Sequence, residues 1–223
     1  MTGRPAHAKP EPLAGSLEAA LERLRHKLQI VPAGTLDDPR SPEVELRERW
    51  RRLCPPRWRA ATLESLDVTL RRDTSAWLDR LRADPTGAGN LLLLGAVGVG
   101  KTWAALALAH AALPCMTARF APVPALLEGL RPDGGGRLDW YIRTGLLILD
   151  DLGAERLTDW GAEQLHLIVN GRWMHQRPIV ATSNLDRDQI AAAVGARTWD
   201  RLRDGATAVA LAGASRRRPR GEE

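Results

Sequence analysis

Residues 91–102 read LLLLGAVGVGKT, four leucines followed by a glycine-rich loop that ends in a Lys-Thr pair. The loop matches the phosphate-binding pattern of a glycine, four residues and then Gly-Lys-Thr. Its members are Gly95, Ala96, Val97, Gly98, Val99, Gly100, Lys101 and Thr102. Loop glycines let backbone N–H groups approach phosphate oxygens, and the helix N-terminus that follows adds partial positive charge. We therefore predict a nucleotide site in which Lys101 reaches the β- and γ-phosphates and Thr102 binds Mg²⁺.

Short apolar runs alternate with helical sequence on the carboxyl side of residue 90. The apolar runs lie at 91–95, 115–120, 146–150, 178–182 and 207–213, and helices are expected near 100–112, 123–130, 159–176 and 186–203. Strands with apolar residues at every position, rather than at every second position, are typically buried on both faces of a sheet. The pattern predicts an α/β fold with a five-stranded parallel sheet covered by helices.

Polar side chains follow two of these strands. Asp150 and Asp151 end the run LLILDD, and Asn184 follows the run PIVATS. The carboxyl ends of parallel strands meet at the edge where α/β proteins bind ligands. We expect Asp150 to hold Mg²⁺, Asp151 to orient or deprotonate the attacking water, and Asn184 to bind that water or the γ-phosphate.

Composition excludes several other classes of protein. The 223 residues contain two cysteines, too few for a disulfide framework or a cysteine zinc site, and no apolar run approaches the ~20 residues that span a bilayer. The N-terminal residues lack the apolar segment of a secretory signal, so we expect a soluble cytoplasmic protein. The net charge is +5, and arginines outnumber lysines 29 to 3. This excess is compatible with codon bias or with a polyanionic partner.

The segments GAVGVGKT, LLILDDLGAE, TDWGAEQL, IVATSNL and GARTWDRL together resemble the DnaC/IstB family of AAA+ ATPases. That family comprises replicative-helicase loaders and ATP-dependent helpers of IS21-type transposition. The resemblance covers about residues 50–211, and it implies an AAA+ P-loop core without a C-terminal lid, with ATP and Mg²⁺ as cofactors. It also implies that Asn184 takes the sensor-1 position and that Arg201 acts as an arginine finger on a neighbouring subunit. The sequence Gly195-Ala196-Arg197 departs from the family's Gly-Glu-Arg, which leaves the role of Arg197 open.

Two arginine-rich segments are candidate DNA surfaces. Residues 131–145 contain Trp140, Tyr141 and Arg143, and aromatic rings beside arginine suit single-stranded DNA. The same rings could instead pack in the core. The arginines of residues 47–59 form a second candidate, although their interleaved glutamates also fit a solvated helix face.

The chain divides, by sequence, into a helical N-terminal extension at 1–60, an ATPase core at 61–213 and a basic tail at 214–223. Leu17, Leu21, Leu24 and Leu28 form one narrow apolar stripe in the extension, which could dock a client or pack on the core. Our first hypothesis is an ATP-dependent loader of a replicative DNA helicase that binds single-stranded DNA and self-associates through composite ATP sites. Two alternatives are a transposition helper whose client is a transposase, and a nucleotide-gated DNA-binding adaptor with negligible hydrolysis.

Overall fold

A computed structural model describes residues 41–154 and 156–216. The five strands of this part of the chain are β1 (Leu91–Leu94), β2 (Ala118–Pro122), β3 (Leu146–Asp150), β4 (Ile179–Ser183) and β5 (Thr207–Ala210). Its α-helices are α1 (Pro42–Leu53), α2 (Val68–Ala83), α3 (Lys101–Ala112), α4 (Val123–Gly129), α5 (Leu138–Arg143), α6 (Asp159–Met174), α7 (Arg187–Val194) and α8 (Ala196–Arg203). Two short 3₁₀ turns, Pro56–Trp58 and Leu63–Ser65, precede α2.

The strands form one parallel sheet in the order β2-β3-β4-β1-β5. The β1 strand lies between β4 and β5, with Leu91 paired to Val180 on one side and to Thr207 on the other. Because the strands are parallel, the loops after β1, β3 and β4 emerge at the same edge. The predicted five-stranded α/β fold is confirmed.

Side chains of the central strands alternate between two apolar cores, one on each face of the sheet. Leu91 and Leu93 enter the core that contains Trp77 and the buried face of α3. Leu92 enters the other core, with Leu165 of α6. Burial on both faces explains why these strands read as continuous apolar runs.

The second strand begins three residues later than the sequence predicted. The predicted run at 115–120 opens with Cys115 and Met116, whose backbone N–H groups both donate to the carbonyl of Ala112 at the end of α3. These two residues therefore continue the helical turn, and the strand starts at Ala118.

The described residues from 45 onward belong to one compact unit. Trp50 and Cys54, which stand before the predicted boundary at residue 60, are buried in the core that also contains Trp77. The leucine stripe at 17–28 and most of the tail at 214–223 lie outside the described residues. Across the described ranges, no helix has the length and apolarity that crossing a membrane requires.

Candidate nucleotide site

The phosphate-binding loop joins β1 to α3 and takes backbone conformations that favour glycine. Gly98 has φ +85° and Gly95 has φ +152°. A Cβ on Gly95 would lie 2.2 Å from the carbonyl oxygen of Leu211. Gly100 is the N-cap of α3 and brings no side chain over the first turn, where the N-terminus of the helix favours an anionic ligand.

Lys101 and Asn184 meet at the centre of the site. Lys101 is 6% exposed, and its Nζ donates to the carbonyls of Gly95 and Ala96, at 2.8 Å each. The same Nζ donates to Oδ1 of Asn184 at 2.5 Å. The structure therefore brings the loop lysine and the predicted sensor amide together, although they are 83 residues apart in sequence.

Asp150 lies at the carboxyl end of β3, where two hydroxyl groups donate to its Oδ1. Thr102 Oγ1 is 2.9 Å away and Thr182 Oγ1 is 2.7 Å away. Asp150 is 5% exposed, and burial raises the pKa of its carboxyl group. The oxygens of Thr102 and Asp150 are hard ligands of the kind that Mg²⁺ prefers, so this pair fits the predicted metal role.

Asp151 is exposed and has a left-handed backbone, with φ +56°. Non-glycine residues adopt this conformation infrequently, and such backbones occur often at functional sites. Its N–H donates to Thr182 Oγ1 at 3.0 Å, so Thr182 joins the two aspartates to β4. Sequence reasoning missed Thr182, although it stands two residues before Asn184.

A cleft of about 970 Å³ is lined by the predicted site residues Lys101, Thr102, Asp150, Asp151 and Asn184. Its polar members include the cations Arg57, Lys101 and Arg216 and the carboxylates Asp150 and Asp151. Its aromatic members are Trp58, Trp103 and Phe120. The volume lies within the range of small-molecule sites, and the mixture of cations and aromatic rings suits a nucleotide.

The segment after β5 crosses the outside of the phosphate-binding loop. Arg216 N donates to the carbonyl of Gly98 at 2.9 Å, and a Cβ on Gly98 would lie 2.2 Å from Ser215 Oγ. The Arg216 guanidinium binds Asp67 Oδ2 at 2.7 Å, and Asp67 also caps α2 by accepting from Leu70 N. Sequence reasoning assigned residues 214–223 to a tail and missed this contact. We call residues 211–216 the C-terminal strap.

Arg201 does not join this cluster. The Asn90 amide, which stands just before β1, donates to the carbonyls of Leu202 at 2.9 Å and Arg201 at 3.4 Å. Arg201 therefore lies at the amino edge of the sheet, whereas Lys101, Asp150 and Asn184 lie at the carboxyl edge. The predicted site residues thus fall into two groups on opposite edges.

Comparison with protein families agrees with this geometry. Residues 59–221 match the family model of the IstB-like ATP-binding protein. The chain belongs to this family. An insertion-sequence (IS1162) ATP-binding protein of Pseudomonas fluorescens is 35% identical over 150 residues, 62% of the present IstB-like chain and 63% of that relative. An insertion-sequence ATP-binding protein of Mycobacterium tuberculosis is 33% identical over 140 residues, 56% of this chain and 53% of the relative.

Solved structures share the fold of the IstB-like chain. DnaI has a TM-score of 0.63 and 27% identity, and the match covers 77% of this chain and 93% of that one. The DnaC helicase loader has a TM-score of 0.63 at 20% identity, and the match covers 71% of this chain and 100% of that one. The resemblance to the DnaC/IstB family and the AAA+ P-loop fold are confirmed. The chain spans about three fifths or less of the length of the two insertion-sequence relatives.

Proposed function

We propose that this IstB-like protein is a Mg²⁺-dependent ATPase of the AAA+ type that uses ATP as a switch to deliver a client enzyme to DNA. The observation that carries the proposal is the meeting of Lys101, Thr102, Asp150 and Asn184 at the carboxyl edge of the sheet. Family membership supports ATP as the ligand. The exposed carboxylate of Asp151 beside this group supports hydrolysis in addition to binding.

Each residue has a separate task in the proposed reaction. When ATP binds, the Nζ of Lys101 donates to phosphate oxygens in place of the carbonyls of Gly95 and Ala96. The first-turn N–H groups of α3 donate to the same phosphates. Thr102 and Asp150 would hold Mg²⁺, which supplies charge that stabilises the phosphates in the transition state. Asp151 accepts a proton from the attacking water, and Asn184 orients that water.

Arg201 completes the site of a neighbouring copy in this proposal. Its position at the amino edge separates it from its own phosphate-binding loop by the height of the sheet, roughly 13 Å for a four-residue strand. An arginine that stabilises transition-state charge can be supplied by another subunit. Self-association would therefore make hydrolysis depend on assembly.

A replicative DNA helicase is the first candidate client. Support comes from the resemblance of segments such as LLILDDLGAE and GARTWDRL to the helicase loaders of the DnaC/IstB family. A transposase is the second candidate, supported by the insertion-sequence relatives at 33% and 35% identity. Both candidates use the same ATP site and differ only in the enzyme that is delivered.

We propose that the protein binds single-stranded DNA and that α5 provides the binding surface. Trp140 is 44% exposed, so its ring does not pack in the core, which was the alternative that the sequence left open. The Arg119 guanidinium lies 5.5 Å from the ring of Trp140 and 5.6 Å from the ring of Tyr141. Tyr141 is partly buried and packs against the core, so the exposed ring of Trp140 beside guanidinium groups is what suits base stacking and phosphate contact.

The decisive experiment measures ATP turnover with and without single-stranded DNA, followed by capture of purified clients. Lys101→Ala should abolish ATP binding while the circular dichroism spectrum stays unchanged. The host replicative helicase or the transposase should be retained on DNA only with ATP. Absence of turnover under every condition, with ATP binding intact, would instead establish the nucleotide-gated adaptor.

A further inference from the structure

Arg201 rests on the ring of Trp173, the penultimate residue of α6. The guanidinium carbon of Arg201 lies 4.0 Å from the centroid of the Trp173 ring, a stacking distance for a cation on an aromatic face. The Arg201 side chain is 34% exposed. Its Nη1 donates to Asp200 Oδ2 at 3.1 Å, while Nε is buried without a hydrogen-bond partner among the described residues. One face of the guanidinium is thus covered, and an anion already occupies its edge.

The tryptophan platform is itself held in place. Trp173 Nε1 donates to Asp204 Oδ2 at 2.7 Å, which fixes the orientation of the ring. The preceding residue, Arg172, is fully buried and donates to carbonyls of five residues. These carbonyls belong to Tyr141, Ile142, Thr144, Gly145 and Pro178. Arg172 therefore ties the end of α6 to the segments that enter β3 and β4.

The backbone of Arg201 is held from the other side. Asn90 Nδ2 donates to the carbonyls of Arg201 and Leu202, and Asn90 Oδ1 accepts from Ile179 N at the start of β4. The ring and the guanidinium are thus anchored to the same edge of the sheet by separate hydrogen bonds. A flexible arginine held this way loses less rotamer freedom when it binds a ligand.

We propose that Trp173 is the positioning residue for Arg201, holding its guanidinium ready for the γ-phosphate of ATP bound by a second copy of the chain. Stacking covers the face of the guanidinium and leaves its N–H edge for the in-plane contacts that phosphate oxygens make. The Asp200 carboxylate occupies this edge until the phosphate replaces it. This inference rests on the proposed trans role of Arg201.

The test compares two replacements of similar apolar character. Trp173→Leu keeps apolar bulk but removes the aromatic face, whereas Trp173→Phe keeps a smaller aromatic face and loses the bond to Asp204. We expect Trp173→Leu to lower ATP turnover by about three- to tenfold with ATP affinity unchanged. Trp173→Phe should stay within about twofold of the wild type. A matched control, Met174→Ala, which changes the next residue along α6, should leave turnover unchanged.

Mixing experiments separate a defect in the finger from a general loss of structure. The Trp173→Leu chain keeps its own phosphate-binding loop, and the Lys101→Ala chain keeps its own Arg201 and Trp173. Mixed assemblies should therefore regain turnover above the sum of the two separate variants, as should mixtures of Arg201→Ala with Lys101→Ala. Co-assembly is checked by pull-down through a tag on one variant.

Two results would overturn the inference, and they are distinguishable. In the first result, Lys101→Ala complements Arg201→Ala, but Trp173→Leu either has normal turnover or is not complemented. Trp173 then does not position the finger, and the proposed function stands. If Arg201→Ala itself has normal turnover, the trans role of Arg201 fails, and the role of Trp173 fails with it.

Discussion

The left-handed backbone of Asp151 places its carboxylate at the mouth of the cleft, separate from the buried carboxylate of Asp150. One aspartate is exposed with φ +56°, and the other is 5% exposed and accepts two hydroxyl hydrogen bonds. Adjacent residues of the same type therefore differ in environment, and different environments allow one to bind metal while the other handles a proton.

We predict that Asp151→Asn abolishes hydrolysis without abolishing Mg-ATP binding. Asparagine tolerates the left-handed backbone, so the local structure should persist, but its amide cannot accept the proton from water. The expected fall in turnover is on the order of 100-fold or more, measured by phosphate release beside a fluorescent-nucleotide titration. Loss of binding as severe as that of Asp150→Ala would show that the roles of the two aspartates are wrongly assigned.

A second prediction at this scale concerns the stability of the nucleotide-free protein. Burial raises the pKa of Asp150 above its ordinary value of 3.8, so the folded chain holds this proton more tightly than the unfolded chain does. Ionisation of Asp150 in the fold therefore costs stability as the pH rises above 3.8, and the cost persists at neutral pH. Asp150→Asn should raise the nucleotide-free Tm at pH 7, by about 2–4 °C for each kcal/mol gained.

The pH dependence provides the control for Asp150→Asn. Wild type and variant should converge in Tm as the pH falls well below 3.8, because Asp150 is then protonated in both the folded and unfolded states. The variant should also lose Mg-dependent ATP binding. A variant that is less stable than the wild type at pH 7 would contradict the view that burial of this charge costs stability.

At the scale of elements, the phosphate-binding loop is contacted by another segment of the chain, the C-terminal strap. The C-terminal strap contacts the loop at Gly95 and Gly98, and the pair between Arg216 and Asp67 fastens the strap to the start of α2. Both partners of this pair are about half exposed, at 52% and 46%, so its contribution is modest.

We predict that Arg216→Ala and Asp67→Asn weaken ATP affinity by the same factor, about two- to fivefold. Both variants release the strap from α2, while asparagine at position 67 still caps the helix. The measurement is a fluorescent-nucleotide titration of both variants and of the double variant, whose effect should not exceed that of either single change. A larger loss in Arg216→Ala than in Asp67→Asn would show that Arg216 contacts the nucleotide directly.

At the scale of the whole molecule, we propose that ATP binding is linked to a client through the N-terminal extension at 1–60, which the structure describes from residue 41 onward. The leucines at 17, 21, 24 and 28 remain a sequence-based prediction of a docking helix. An isolated helix of roughly fifteen residues is marginal in water, so its apolar stripe gains stability mainly by packing on another surface.

We predict that replacing Leu21 and Leu24 together with aspartate abolishes client capture while basal ATP turnover persists. The matched control replaces Glu18 and Glu22, which stand off the stripe, with glutamine and should leave capture unchanged. Pull-down of the purified helicase or transposase, with ATP turnover and Tm measured in parallel, checks the prediction. If turnover and Tm collapse with capture, the stripe packs on the protein's own core instead.

The sequence alone predicted the succession of strands and helices along the chain, and it singled out the residues that we propose for the nucleotide site. Local signals carried this information, because apolar runs mark buried strands and the loop pattern requires glycines and Lys-Thr at fixed spacing. Because the predicted strands are parallel, Asp150 and Asn184 are expected at the same edge of the sheet as Lys101, and no knowledge of the packing is needed. The start of β2 was wrong by three residues because Cys115 and Met116 continue a helical turn, which their apolar character does not reveal.

Only the tertiary structure decided which residues hold these groups in place. Four residues, Thr182, Asn90, Arg172 and Arg216, act through hydrogen bonds to atoms distant in sequence. Many of these atoms belong to backbone carbonyls, which carry no sequence signal. The stacking of Arg201 on Trp173 likewise joins α6 to α8 across 28 residues. Sequence patterns predict which elements form and where strands end, because these follow from local propensity and burial. Pairings between elements depend on how the packed sheet and helices bring distant atoms together, and that is why the fold was required to find them.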